Sequence, residues 1–255
     1  GHLDHIGAIP FVMEKIGKNF ELIKKFIESA DQRDLLECIK SLEERAEQIG
    51  WGKNADIFAV GDKQYKKLCA KKIKEKPYLL DNRPEEEFKY QQMVRELGVR
   101  TPLSVAVIKN TDTLEEYIIM ERIMGVSIGD VISERISAPI PKSYNHDIFF
   151  EKLKQDLKKM HEDGLYHRDL HEGNVMIDEN GDPVIIDFGA ATRAFAGDKD
   201  KYLQTQVKKY NAVTDRYEVV SGRYLDDDMG YESLRSSMGK IVNPVRSVVD
   251  KPWQL

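Results

Sequence analysis

A short stretch of the chain carries three oxygen-bearing side chains that a hairpin would bring together. Asp169 and Asn174 stand before the hairpin and Asp187 stands after it, with the turn signal Asn180-Gly181 between them. Pairing of the two apolar runs that flank this turn would place Asn174 beside Asp187. Carboxylate and amide oxygens are ligands that Mg²⁺ prefers, and the Asp169 carboxylate would be free to accept a proton. The alternative is an ordinary surface turn with acidic residues nearby.

The residues around these three side chains resemble the motifs of the protein-kinase-like superfamily. His167-Arg168-Asp169 followed by Asn174 matches the HRD–Asn element, and Asp187-Phe188-Gly189 matches the DFG element. The resemblance implies phosphoryl transfer from ATP. In that reaction Asp169 would orient the attacking hydroxyl and accept its proton, while Asn174 and Asp187 would bind Mg²⁺.

Upstream, the stretch IGWGKNADIF at residues 49–58 resembles a kinase phosphate loop. Gly50 and Gly52 stand at the first two glycine positions, and Ala55 stands at the third. Backbone N–H groups at the glycines could approach phosphate oxygens closely. Taken alone, the two glycines could simply make a turn.

The segment Cys69-Ala70-Lys71-Lys72 resembles the Val-Ala-Ile-Lys element of kinases. Because side chains alternate along a strand, Ala70 and Lys72 share one face and Lys71 takes the other. We therefore expect Lys72 to hold the α- and β-phosphates and Ala70 to leave room for adenine. Without the downstream motifs, a lysine-rich edge strand with solvated lysines would be favoured.

The next helix should supply an acidic partner for that lysine. Residues 84–97 begin with proline and three glutamates and end before Gly98, which predicts a helix. The spacing from Glu87 to Val94 and Gly98 resembles that of the helix-C glutamate in RIO-type and aminoglycoside-phosphotransferase-like kinases. Glu87 is therefore the expected partner, with Glu86 as the alternative.

Residues 120–125 resemble the linker between the two lobes of a kinase. Met120 is expected at the back of the adenine site, and the backbone of Glu121 and Ile123 at the adenine edge. The residues that the resemblance places around the nucleotide are Ile49, Gly50, Gly52, Ile57, Ala70, Lys72, Met120, Glu121, Ile123, Met176 and Ile186. The apolar members of this set could equally be ordinary core residues.

Histidines near the HRD motif are expected to have structural roles. Residues 147–163 form an amphipathic pattern that ends at Gly164, which predicts a helix directly before the motif. His161 and His167 are expected to pack or to form hydrogen bonds. A metal site formed by His161, His167 and His171 is the alternative, but their spacing follows no zinc pattern.

Three features depart from the common protein-kinase pattern. His171 stands where serine/threonine kinases usually have lysine, and the form DLHxGN resembles RIO, lipopolysaccharide and small-molecule kinases. Arg168, in contrast, is typical of protein kinases. The chain continues only to residue 255 after Gly189, which resembles RIO kinases and short bacterial effector kinases. In this last part we expect a shortened activation segment at 190–201 and helices at 200–217 and 231–241.

Composition narrows the class of protein. A net charge of −5 with a hydrophobic fraction of 41% describes a chain that can form a core and lacks the basic surface of a nucleic-acid binder. Two cysteines argue against a disulfide framework, and no apolar run has the length of a membrane span or resembles a signal peptide. We expect a cytoplasmic location, or the host cytosol for a secreted effector, and a chain that continues upstream if Gly1-His2 is a cloning remnant.

These expectations together imply an α+β, bilobal protein-kinase-like fold. We expect a helical extension at 1–47 that packs on the kinase part or binds a regulatory partner, an antiparallel-sheet lobe with its linker at 48–123, and a truncated, mainly helical lobe at 124–255. The expected function is ATP- and Mg²⁺-dependent phosphorylation of serine or threonine in a protein. The alternatives are a small-molecule or glycan kinase, a nucleotide-binding scaffold, and AMP transfer on a related fold.

Overall fold

A computed structural model describes residues 3–6, 48–51, 55–59, 68–73, 79–80, 83–110, 115–133, 138–193, 207–220 and 226–242 of the chain. The helices predicted within residues 8–47 lie outside these ranges. In chain order, the elements are β1 (Leu3–Ile6), β2 (Gln48–Trp51), β3 (Ala55–Ala59), β4 (Leu68–Ile73), β5 (Leu79–Leu80), α1 (Pro84–Glu96), β6 (Ser104–Asn110), β7 (Glu116–Glu121), β8 (Gly125–Ser127), α2 (Ile128–Ile132), α3 (His146–Glu162), β9 (Leu165–Tyr166), β10 (Val175–Asp178), β11 (Pro183–Ile185), β12 (Thr192–Arg193), β13 (Val207–Asn211), β14 (Arg216–Val220) and α4 (Asp227–Val242).

The first half of the described chain forms a six-stranded antiparallel sheet in the order β1-β6-β7-β4-β3-β2. The hairpins β3–β4 and β6–β7 are both present, and β4 pairs with β7 at the centre of the sheet. Strand β1, at residues 3–6, pairs with β6. The start of the chain thus contributes an edge strand to this sheet, in a segment for which a helical extension was expected.

Helix α1 forms where the sequence predicts it. Pro84 opens the helix, the first turn carries three glutamates, and Gly98 with φ of +84° follows its last turn. Proline at the start and acidic side chains near the helix N-terminus both favour this position. The buried face includes Glu87, Phe88 and Val94, and Gln91 donates to the Pro102 carbonyl at 2.6 Å. These contacts hold α1 against the sheet.

The helical region is organised around α3, which Asn145 caps by accepting a hydrogen bond from the Ile148 amide. Its buried face packs against α4, where Tyr231 donates to the Phe150 carbonyl at 2.9 Å. Burial of each large apolar side chain in this core contributes about 1.5–3 kcal/mol. The buried residues of α3 are Phe149, Phe150, Leu153, Leu157 and Met160. The predicted amphipathic helix is therefore confirmed.

The predicted hairpin after Asn174 is also present. Strands β10 and β11 pair from Val175 opposite Ile185 to Ile177 opposite Pro183. Gly181 in the connecting turn has φ of +79°, a value that glycine adopts readily. Ile186 donates its amide to the Asn174 carbonyl at 3.0 Å, so the two ends of the hairpin meet.

The expected helix at 200–217 is wrong for its described part, which forms the β13–β14 hairpin. The apolar spacing that predicted a helix includes Val213, but this residue lies in the turn and is 94% exposed. Asn211 accepts the Val213 amide through its side chain, which favours a turn over a helix. The second predicted helix, α4, is confirmed and begins earlier than expected, at Asp227.

In the described ranges, no helix has the length and apolar character needed to cross a membrane.

Candidate active site

One buried lysine joins the sheet, helix α1 and the DFG segment. Strand β4 carries Lys71, and its ammonium donates to Glu87 of α1 and, at 3.0 Å, to Asp187 Oδ1. Lys71 and Glu87 are both buried. Glu87 is therefore the acidic partner of this lysine, as expected. The alternative partner, Glu86, is exposed. We call Lys71, Glu87 and Asp187 the lysine cluster.

The expectation that Lys72 occupies this place is wrong. Lys72 lies 3.0 Å from Glu115, and about a third of its side chain is exposed. Side chains alternate along the strand as predicted. The prediction was wrong because it took the face that carries Ala70 as the one that points into the site. In the structure Lys71 shares its face with Cys69, which lies opposite Met120 in β7. Ala70 lies opposite Ile119, so the small residue beside Met120 is Cys69.

The charged groups of the lysine cluster lie close together and shift one another's pKa values. Burial disfavours the charged form of Lys71, but the carboxylates of Asp187 and Glu87 outweigh it and raise the Lys71 pKa. Burial also disfavours the Asp187 carboxylate, yet Lys71 and the Gly189 amide hold its pKa below the usual value. For Glu87, burial dominates over Lys71 and raises the pKa. Asp187 therefore keeps its negative charge at neutral pH.

The side chain of Asp227 anchors the catalytic-loop segment, residues 167–174. This carboxylate accepts the backbone amides of His167 and Arg168 at 2.9 Å each, and the His161 ring at 2.8 Å. Burial opposes its charge, but these donors hold the Asp227 pKa below the usual value. Arg168 has φ of +67°, a strained conformation that such anchoring maintains.

Asp227 was not predicted from the sequence. It is the middle residue of three consecutive aspartates, which resemble ordinary acids at a helix start. Only the tertiary structure identifies it, because it is fully buried and its neighbour Asp228 is exposed. His161, expected to pack, binds Asp227 and stacks on Tyr166 at 4.7 Å between ring centroids.

His167 has the structural role expected for it. Its Nε2 donates to the Ile186 carbonyl at 2.8 Å, and its Nδ1 accepts the Asp169 amide at 3.1 Å. The ring also packs edge-on against Phe188. His167 therefore connects the catalytic loop to the DFG segment. In the described part of the chain, no cluster of three or more His, Cys, Asp or Glu residues could hold a metal by itself, which contradicts the three-histidine alternative.

Asp169 and Asn174 lie together as the motif predicts. The Asn174 amide donates to the Asp169 carbonyl at 2.8 Å and to its Oδ2 at 3.1 Å. Burial and the nearby Asp187 charge raise the Asp169 pKa well above the usual value, and the bond from Asn174 opposes this shift. Asp169 is therefore better suited than Asp187 to take up a proton.

The residues expected around adenine are only partly described. Met120 is buried opposite Cys69, whose thiol lies 3.7 Å from the Glu121 carbonyl. Burial raises the pKa of this thiol to about 12. Gly50 pairs with Ile57 across β2 and β3. Besides Lys72, the partly exposed members of the expected set are Ile57, Glu121, Ile123, Met176 and Ile186. Ile49 lies on β2, and Gly52 lies outside the described residues.

A carboxylate–arginine cluster supports the linker and was also not predicted. Arg100 binds Glu121 through two nitrogens at 2.9 and 3.1 Å, and Arg95 approaches the same carboxylate at 3.5 Å. The Leu103 amide donates to it at 3.3 Å. The Arg100 carbonyl accepts the Ile185 amide at 3.2 Å, so this cluster connects α1, the linker and β11. We call Glu121, Arg95 and Arg100 the linker cluster.

Comparison with known proteins agrees with the motifs. The protein kinase domain family matches residues 44–219, which is more than half of the chain. The RIO-type serine/threonine-protein kinase Rio2 of Methanocaldococcus jannaschii is 36% identical over 86 residues, covering 33% of this chain and 32% of that protein. A probable cyclin-dependent serine/threonine-protein kinase of Dictyostelium discoideum is 28% identical over 179 residues, covering 70% of this chain and 23% of that protein.

A third relative is the serine/threonine-protein kinase NLK2 of Xenopus laevis, which is 26% identical over 168 residues, covering 64% of this chain and 36% of that protein. The chain therefore spans little more than a third, or less, of the length of these relatives. These matches confirm the superfamily that the motifs around Asp169 and Asp187 predicted.

Proposed function

The chain belongs to the protein kinase domain family, and from that premise we propose that it transfers the γ-phosphoryl group of ATP to a serine or threonine hydroxyl of a protein. The observation that carries the proposal is the lysine cluster. Strand β4, helix α1 and the DFG segment each contribute one of its charged groups. The Asp169–Asn174 loop lies next to it, because the amide of Ile186, which precedes Asp187, donates to the Asn174 carbonyl at 3.0 Å.

The side chains present fit ATP and Mg²⁺. Lys71 would bind the α- and β-phosphates, and Glu87 would hold the lysine in place. Asn174 uses its amide nitrogen on Asp169, which leaves its oxygen for a metal. Asp187 binds Lys71 through Oδ1 and keeps its charge. Bound Mg²⁺ would neutralise phosphate charge, and a site with few protein ligands suits it because phosphates and water supply the remaining oxygens.

Asp169 would receive the proton of the acceptor hydroxyl. Its raised pKa brings proton uptake closer to neutral pH than for an ordinary aspartate. As the acceptor oxygen forms its bond to phosphorus, the bond from phosphorus to the ADP oxygen breaks and the proton moves to Asp169. The reaction then depends mainly on positioning and charge neutralisation, as is general for phosphoryl transfer.

A protein acceptor is supported by the names of the relatives, which are serine/threonine-protein kinases. The expected regulatory partner at the N-terminal helices and the expected cytoplasmic location stay predictions.

The test is phosphate incorporation from labelled ATP with Mg²⁺, for the parent and for Asp169→Ala, with autophosphorylation and generic protein substrates as acceptors. The parent is expected to incorporate label and the variant to lose at least about a hundredfold in rate. Mass spectrometry of the product should show added phosphate. Added AMP, or equal incorporation by both proteins, contradicts the proposal.

A small-molecule or glycan kinase is the second candidate, because His171 lies in the loop beside Asp169 where serine/threonine kinases usually have lysine. An ATP-consumption screen of sugars, amino alcohols and nucleosides against generic proteins separates the two. Turnover with proteins alone would reject the second candidate.

A further inference from the structure

A small sheet joins the chain after the DFG segment to the chain before helix α1. Its strand order is β14-β13-β5, and β13 pairs antiparallel with β5, with Lys208 opposite Leu80 and Lys209 opposite Leu79. Among the described strands, β5 pairs with β13 alone and takes no part in the six-stranded sheet. The strand that leads toward α1 is thus held by a segment from much later in the chain.

The β13–β14 hairpin has contacts of its own that stabilise it. The two strands pair along their full length. In the turn, the Asn211 side chain accepts the amides of Val213 at 2.9 Å and Thr214 at 3.4 Å. The Asn211 amide nitrogen and the Thr214 hydroxyl each donate to the Glu218 carboxylate at 3.2 Å. The hairpin therefore offers β5 a formed edge, and a third strand in turn stabilises a hairpin.

A short link connects β5 to the first turn of α1. Only residues 81 and 82 lie between β5 and Arg83, the residue that precedes the helix. The link from Leu80 to Arg83 reaches at most about 11 Å when fully extended. The Arg83 carbonyl accepts the amides of Glu86 and Glu87 at 3.0 Å each. The position of β5 therefore restricts where the first turn, and with it Glu87, can lie.

The C-terminal half of α1 has a separate support. Gln91 donates to the Ser104 hydroxyl at 3.0 Å, and Arg95 donates to the Thr101 carbonyl. These contacts lie at least one helical turn beyond Glu87. The two halves of α1 are thus held by different parts of the molecule, and the half that carries Glu87 is the one next to β5.

We propose that the β13–β14 hairpin positions helix α1 for phosphoryl transfer, because its main-chain pairing with β5 fixes the chain that enters the helix and keeps Glu87 on Lys71. The inference rests on the proposed function and deepens it, since it gives the chain beyond the DFG segment a part in regulating the same site. Separation of β13 from β5 frees the first turn of α1 and weakens the contact between Lys71 and Glu87, while the Asp169 loop keeps its own supports.

Disulfides between β5 and β13 test the pairing directly. Two double variants place cysteines at opposed positions, Leu79→Cys with Lys209→Cys and Leu80→Cys with Lys208→Cys, each in a Cys38→Ser background. Neighbouring positions alternate between hydrogen-bonded pairs and non-hydrogen-bonded pairs, whose Cβ atoms are closer, so one of the two disulfides should form readily. With that bond, kcat for phosphate incorporation should equal or exceed that of the same protein after reduction. Failure of both disulfides to form, or a tenfold lower kcat on oxidation, overturns the inference.

Proline substitutions in β5 test whether the pairing supports α1. Successive N–H groups of a strand point to opposite sides, so one of Leu79 and Leu80 donates toward β13 and the other points away. Proline removes the N–H group. The position whose disulfide forms readily is the non-hydrogen-bonded one, so proline there is the matched control. Proline at the other position should lower kcat about tenfold, and the control should stay within about threefold of the parent.

Hydrogen exchange separates this positioning role from a general loss of structure. In the disruptive proline variant, the amides of α1 should exchange faster than in the control, while those of α3 keep the parent's rates. Equal kcat and equal α1 exchange in the two proline variants would overturn the inference. Faster exchange in α3 as well as α1 would also overturn it, because the hairpin would then support the whole fold.

Asp169→Ala is measured in the same series. If it matches the parent, the proposed function fails. If it is inactive while both proline variants match the parent in kcat and in α1 exchange, the kinase proposal stands and only the inference about the hairpin fails.

Discussion

The lysine cluster and the catalytic loop each contain a partly buried aspartate, but the two environments shift the aspartate pKa in opposite directions. Asp187 lies beside Lys71 and accepts the Gly189 amide, and its pKa is lowered. Asp169 is also partly buried, has Asp187 nearby, and its pKa is raised. The difference is the adjacent cation. The same side chain is therefore kept charged at one position and made ready for a proton at the other.

This comparison assigns different tasks to residues of one type. A charged Asp187 suits a metal cation, and an Asp169 with a raised pKa suits proton uptake. The neighbours, rather than the aspartates themselves, determine these tasks. Changes to the neighbours should therefore affect the two regions in distinguishable ways.

The largest effect is expected from removing the cation of the lysine cluster. Lys71→Met should lower the rate of phosphate incorporation by about a hundredfold or more, because the phosphates lose their ammonium partner and Glu87 and Asp187 repel each other. Lys72→Met is the matched control on the same strand, and it should stay within about twofold because Lys72 pairs with Glu115. Steady-state assays with labelled ATP measure both. The reverse ranking would restore Lys72 as the ATP lysine.

The second prediction concerns the support of the catalytic loop. Asp227→Asn replaces one carboxylate oxygen by a donor, so one of the His167 and Arg168 amides loses its acceptor. The free energy of unfolding should fall by about 2 kcal/mol. The Asp227 pKa is lowered, so its contribution is present above the usual aspartate pKa and disappears as pH falls through the lower folded value.

Urea unfolding at neutral and acidic pH measures this effect, with Asp228→Asn as the exposed control. A loss of stability that is the same at pH 7 and at strongly acidic pH would show that the charge of Asp227 has no part in it.

The third prediction tests whether the charged form of Asp169 destabilises the folded protein. Asp169→Asn should lower the rate of transfer about a hundredfold and yet raise the free energy of unfolding at neutral pH by about 1 kcal/mol, since the variant places no charge at this partly buried position. The folded pKa of Asp169 is raised, so the parent loses stability as pH rises from the usual aspartate value through the folded value. The variant should lack this loss. Urea unfolding as a function of pH measures the difference, and Asp187→Asn should not be stabilising because the Asp187 pKa is lowered.

The elements around the site were predictable because their signals are local. Pro84 with the following glutamates determines where α1 begins, and the turn at Gly181 determines the β10–β11 hairpin. The catalytic loop and the DFG segment were identified from their motifs. Glu87 was also placed correctly, because the spacing from Glu87 to Val94 and Gly98 resembles that of the helix-C glutamate in RIO-type kinases.

The failures occurred where only tertiary contacts decide. Lys71 and Lys72 are adjacent on one strand, and choosing between them requires knowing which face meets Asp187. The segment that forms β13 and β14 has apolar residues at helical spacing, but β13 pairs with both β14 and β5. Asp227 accepts the His167 amide, and Arg100 donates to the Glu121 carboxylate. Both contacts join residues that are distant in the sequence.

The smallest effect is expected from a change in the linker cluster, which extends the comparison to a third carboxylate. Glu121, like Asp187, is a carboxylate with cations beside it, but its partner Arg100 is partly exposed, so each contact should contribute less. Arg100→Ala should raise KM for ATP about threefold with little change in kcat, because the linker backbone at Glu121 would lose its support while the lysine cluster stays intact. Arg83→Ala, an exposed arginine at the start of α1, is the control and should leave KM unchanged. If kcat falls with unchanged KM, the linker cluster acts on the catalytic loop through the Arg100–Ile185 backbone bond, and its assignment to nucleotide binding is wrong.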